Sequence, residues 1–120
     1  MQTIPLNPAF LNVAVETFVR KLEVRLNEYK TRMKLTYFDR YEVIYKPKIK
    51  FIGVYASEIY PDGRLESGNG RIIAFIELAT GNVLKPAGYN VPAKHARGNV
   101  FSSDNGMEAI TDQGHVAYLR

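Results

Sequence analysis

The sequence predicts an α+β fold: a long N-terminal helix packed on a mainly antiparallel sheet of three to five strands, then a long irregular loop and a short tail. Three observations predict it. Apolar residues recur at helical spacing near the N-terminus, the period then changes to two, and both periods vanish in a stretch rich in Pro, Gly, Asn and cations. A chain of 120 residues suits one domain with one core. The expected divisions of that domain, 1–120, are a helix over 8–33, a β-meander over 41–87, a basic loop over 88–106 and a tail over 107–120.

The helix comes first. Asn7-Pro8 suits a helix start, with Asn7 as N-cap and Pro8 at the first helical position, where its missing N–H costs nothing. Leu11, Val15, Phe18, Leu22, Leu26, Tyr29 and Met33 then fall three or four apart and form one stripe. Glu16 with Arg20 and Glu28 with Arg32 stand at i,i+4 in the favourable order. About 26 residues at ~1.5 Å each give a rod of about 39 Å, long against a radius of gyration of ~14 Å for a domain of this size. A second apolar set on the far side, Phe10, Val13, Thr17 and Val24, suggests a subunit contact in a homo-oligomer.

The meander follows. Residues 41–56, YEVIYKPKIKFIGVYA, are rich in β-branched and aromatic side chains. Pro47 makes this either two strands or one interrupted edge strand. In its second part Lys48 and Lys50 alternate with Ile49 and Phe51, as a half-buried strand does. Pro61-Asp62-Gly63 marks a turn and Ser67-Gly68-Asn69-Gly70 a loop. RIIAFIELA, residues 71–79, is the most apolar run and the expected central strand. Thr80-Gly81-Asn82 turns the chain into a hairpin partner, NVLKPA. Residues 107–119 are ambiguous, since MEAI suits a helical turn and HVAYL a short strand.

Composition bounds the function. The 46% hydrophobic and 23% charged content is ordinary for a globular chain. No run of 18 apolar residues could form a membrane helix, and Met1-Gln2-Thr3-Ile4-Pro5 lacks the pattern of a secretory signal. With no cysteine, disulfides and thiol chemistry are excluded. A cytoplasmic location without membrane attachment is expected. The net charge of +4 is unevenly spread. Residues 1–50 carry ten Lys/Arg against five Asp/Glu, and residues 85–101 carry three cations and no carboxylate. Such a distribution admits a polyanion partner.

Chemistry is sparse. His95 and His115 have no carboxylate or second histidine at ligand spacing. Gly68-Asn69-Gly70 precedes a strand and lacks the third glycine of a dinucleotide fingerprint. No catalytic residue, metal or cofactor is assigned, and an enzyme is not the expectation. His115, within an apolar run, is expected as a hydrogen-bonded packing residue. The candidate site is the basic loop. Lys85, Lys94 and Arg97 could neutralise phosphates beside His95, with Tyr89 as a stacking face, which suits nucleic acid. The alternative is a crossover loop pinned by Val91, Val100 and Phe101 with its cations solvated.

At GNVLKPAGYNVPAKHARGNV the chain resembles a family of small uncharacterised proteins encoded by tailed bacteriophages. The matching residues are Ala74-Phe75-Ile76, Thr80-Gly81-Asn82-Val83, Lys85, Pro92-Ala93-Lys94 and Arg97-Gly98-Asn99, within a covered region of roughly 45–101. Tyr89 stands at that family's aromatic position, usually tryptophan, and Asn90 where lysine is typical. The resemblance implies a viral source and a host-cytoplasm setting, and no mechanism.

Overall fold

The computed structural model describes residues 8–64 and 70–117. The expected N-cap Asn7, residues 67–69 of the expected loop, and Tyr118 and Leu119 of the last segment lie outside the described residues.

The apolar stripe forms α1, Pro8–Arg32. At ~1.5 Å per residue its 25 residues make about 37 Å, which runs along much of a body measuring 51 × 28 × 25 Å. Leu11, Val15, Phe18, Leu22 and Leu26 are all buried, joined by Ala14 and Val19. Met33, expected to extend the stripe, is 53% exposed because the helix stops one residue earlier. The stop has a Schellman geometry. The Leu35 N–H donates to the Lys30 carbonyl at 3.0 Å and the Lys34 N–H to the Thr31 carbonyl at 3.2 Å, with Lys34 left-handed at φ 55°. Glycine usually occupies that position, so the signal that ends a helix was missing from the sequence here.

Five strands follow as a meander: β1, Arg40–Pro47; β2, Phe51–Ile59; β3, Arg71–Glu77; β4, Asn82–Gly88; β5, Val91–Asn99. Each pairs antiparallel with the next, in the order β1-β2-β3-β4-β5. β3 is therefore central, as its apolar run predicts. Pro47 separates two strands, and residues 48–50 form the turn between them, closed by the Lys48 N–H on the Phe51 carbonyl at 2.7 Å. Lys48 and Lys50 thus belong to a turn and not to a strand face. Gly81, at φ 78°, makes the β3–β4 turn, donating to the Glu77 carbonyl at 2.8 Å.

The basic loop expected over 88–106 is corrected by β5, which occupies Val91–Asn99 of it. Period two is lost there because the β4–β5 register shifts between Val83 and Leu84, between Leu84 and Pro86, and between Pro86 and Gly88. Pro92 is tolerated because β5 is an edge strand. Beyond it, residues 107–109 form a 3₁₀ turn, and Ile110 bridges Val116. Both readings of the ambiguous segment thus hold in part.

The core lies between α1 and one face of the sheet. Val43, Ile52, Val54, Ile73, Ala74, Ile76 and Val83 meet the helix stripe, and Val100, Met107, Ala109, Ile110 and Val116 from the last segment close it.

Candidate nucleic-acid interface

α1 and β1 run side by side, and helix side chains seal the outer edge of β1. The Asn27 amide accepts from the Tyr41 N–H at 2.8 Å and donates to the Tyr41 carbonyl at 3.1 Å. A Glu23 carboxylate oxygen accepts from the Val43 N–H at 2.9 Å. These are the groups an antiparallel strand turns away from its partner, so Asn27 and Glu23 stand where another strand would. Covering an edge with a helix is a common defence against edge pairing.

β5, the opposite edge, carries most of the expected site residues. Lys94 and His95 are exposed on it. Arg97 is half-buried, its guanidinium donating to the His95 carbonyl at 2.6 Å, while its Nε is buried without a hydrogen-bond partner. Tyr89, in the β4–β5 turn, packs its ring 5.9 Å from that of Tyr55 and remains 48% exposed. Tyr55 in turn lies over Gly53, where any Cβ would meet its ring. Lys94, His95 and Arg97 therefore share one short segment with Tyr89 at its near end. Lys85 does not join them. It sits on β4, half-buried, with its ammonium on the Val116 carbonyl at 3.3 Å.

Lys85 belongs to a second set of cations that hold the last segment down. Lys21 donates to the Asn105 side chain at 2.9 Å. Arg25 donates to the Met107 and Ile110 carbonyls at 3.3 and 2.8 Å, and Arg32 to the Asp112 carbonyl at 3.3 Å. A share of the basic excess of the helix is thus committed inside the fold. Nothing local in the sequence signals this, because each partner lies some eighty residues away. Glu108 fastens the same segment to the end of β5, accepting from the Asn99 N–H at 2.9 Å and the Ser102 hydroxyl at 2.6 Å. Partial burial works to raise the Glu108 carboxyl, but these and neighbouring backbone hydrogen bonds outweigh it and hold the group below its usual value. His115, expected as a packing residue, has an exposed side chain, while its backbone bonds Thr111. Partial desolvation of the ring against the body of the protein first, then the charges of Arg71 and Lys85, push its imidazole below the ordinary value.

Sequence reasoning missed one exposed basic feature. The tip of the β1–β2 hairpin presents Lys46 near the end of β1 and Lys48 and Lys50 in the turn around Ile49, all exposed, with Ile49 95% so. The signal was visible as KPKIK, but period-two alternation gave those residues to a strand. A groove of about 420 Å³ between α1 and the last segment is lined by Arg20, Lys21, Arg25, Glu28 and Asp104 with Val24 and Met107. Its mixed charge and hydrogen-bonded cations give it no convergent reactive pair. Among the described residues no group of three His, Asp or Glu could hold a metal ion. None of the described helices is long and apolar enough to cross a membrane.

No curated protein and no solved structure matches the chain. A family model does, over residues 9–119, which takes in the helix, all five strands and the clasped last segment. The chain belongs to that family, DUF7717, a family of unknown function.

Proposed function

We propose that the chain is a non-enzymatic accessory protein of the small tailed-phage type, acting in host cytoplasm, that contacts nucleic acid without sequence specificity through the open β5 edge. The observation that carries this reading is the edge itself. Lys94 and His95 stand exposed on β5 beside the half-buried Arg97, and no carboxylate side chain occurs between Glu77 and Asp104. Phosphates approaching this surface meet these cations, with the Glu108 carboxylate held at the Asn99 end of the strand, and Tyr89 supplies a half-exposed ring for stacking. The likeness of roughly residues 45–101 to tailed-phage proteins supports the setting. Lys85, tied to the Val116 carbonyl, serves the fold in this reading and not the interface.

The test is fluorescence anisotropy with labelled single-stranded and duplex DNA and RNA at rising salt. Binding in ~50 mM salt that weakens steeply with salt is expected. Absence of binding to all four would end the reading.

The outer stripe of α1 favours a second reading, an oligomer using the helix as subunit contact. Phe10, Val13 and Val24 are 69%, 65% and 59% exposed on it. Light scattering at high protein concentration decides: a clean monomer removes it.

A further inference from the structure

The β1–β2 turn carries a residue that folding does not ask for. Three residues, 48–50, join the strands, and short hairpin turns select Gly, Asn, Asp or Pro because those residues fit turn backbones. Ile49 offers none of these properties, and at 95% exposure it contributes nothing to the core. An aliphatic side chain alone on a flat surface is ordinary. Here it stands at the apex of a two-stranded ribbon, with Lys46, Pro47, Lys48 and Lys50 exposed beside it. The ribbon behind the apex is well anchored, because Ile52 and Gly53, opposite Pro47 and Lys46 in register, are buried. Of the carboxylates on the neighbouring elements, Glu77 accepts from the Thr80 hydroxyl at 2.6 Å, and Glu16 from the Tyr45 hydroxyl at 3.2 Å.

We infer that this turn is a wedge for double-stranded nucleic acid: Ile49 enters between two base pairs from the minor groove while the flanking lysines neutralise the phosphates on either side. The inference rests on the proposed nucleic-acid contact and gives that contact a duplex-deforming element separate from β5. Wedge insertion needs one aliphatic side chain on a narrow support, and the kink it produces is repaid by further backbone contacts. The other surface that an apolar tip ringed by lysines could suit, an anionic membrane, fits less well. Even a single fatty-acyl chain holds a protein to a bilayer only marginally, and one isoleucine offers far less apolar area.

The experiment compares the intact chain with Ile49→Ser and, separately, with Lys94→Ala/Arg97→Ala. The probes are a 26-base-pair duplex carrying a dye at each end and 2-aminopurine at its centre, a single strand of equal length, and phosphatidylglycerol/phosphatidylcholine vesicles. The expected result is that the wild type shortens the end-to-end distance and brightens the 2-aminopurine. Ile49→Ser should lose both signals and about tenfold in duplex affinity, while binding the single strand unchanged. Its melting temperature should match the wild type, because the replaced side chain touches no core residue. If the wild type binds duplex without either signal and Ile49→Ser binds equally, the wedge is overturned and the β5 contact stands. If the wild type binds vesicles in an Ile49-dependent way and leaves the duplex undeformed, the tip is a membrane element and the inference fails. If no nucleic acid binds at all, both readings fall together.

Discussion

On the β1 edge, an amide and a carboxylate of α1 take the outward backbone groups of Tyr41 and Val43. On the β5 edge, among the described residues, only the short 3₁₀ turn 107–109 packs on the strand, at its Asn99 end; the strand carries Pro92, Lys94, His95 and Arg97 and its pairing is broken by three register shifts. Both are recognised answers to one problem, a row of unpaired N–H and C=O groups that invites another strand. The difference teaches how one sheet divides its labour. The sealed edge fixes the helix to the sheet and adds to stability. The open edge resists pairing through proline, charge and irregularity, and so leaves cations facing solvent where an anion could meet them.

Breaking the sealed edge should cost most. Asn27→Ala leaves the Tyr41 N–H and carbonyl in a half-buried place without their partner, for a loss of about 2–3 kcal/mol. Chemical denaturation should show a lower midpoint with little change in slope. Wild-type stability would mean that water replaces the amide and that the helix does not depend on this seal.

The end of β5 is the next target, for Glu108 closes it where the open part stops. Its folded-state carboxyl lies below the ordinary value of about 4.5. The unfolded chain therefore binds the extra proton first on acidification. The stabilisation is fully present above about pH 4.5 and is lost as pH falls through the depressed folded value. Glu108→Gln should flatten that acid limb in melts taken from pH 6 to 3. An unchanged limb would put the acid sensitivity elsewhere.

The smallest effect on stability is expected at the open edge. Lys94→Val with His95→Thr alters exposed side chains, so the melt should move by no more than about 0.5 kcal/mol. Association should change instead, because the substitutions add β-propensity and remove charge from an unpaired edge. Sedimentation at rising concentration should show self-association beyond that of the wild type. A double variant that associates no more than the wild type would mean that the register shifts alone protect β5.

The two edges also differ in how much of them the sequence disclosed. α1 was legible because Leu11, Val15, Phe18, Leu22 and Leu26 all face one core, and β3 because residues 73–76 are buried in unbroken succession. The hairpin turns at Pro61-Asp62-Gly63 and Gly81 announced themselves through residues that suit such backbones. β5 was not legible. Strand patterns presuppose one buried face, yet residues 94–96 are all exposed, and the shifts that protect the edge also erase the alternation. The contact of Lys85 was hidden for a related reason. A lysine that clasps a carbonyl thirty-one residues away looks in one dimension like a lysine facing solvent. The proposed interface lies in the segment the sequence singled out, while its division into clasping and exposed cations depends on contacts distant in sequence.

The most direct test is the salt dependence of nucleic-acid binding by the wild type and by Lys94→Ala/Arg97→Ala. If the open edge meets phosphates, a plot of log affinity against log salt should lose about 1.4 units of slope on a single strand or about 1.8 on a duplex, from two contacts removed. The double variant should keep the wild-type fold by circular dichroism. Equal slopes for the two proteins would contradict the assignment of these cations to the interface.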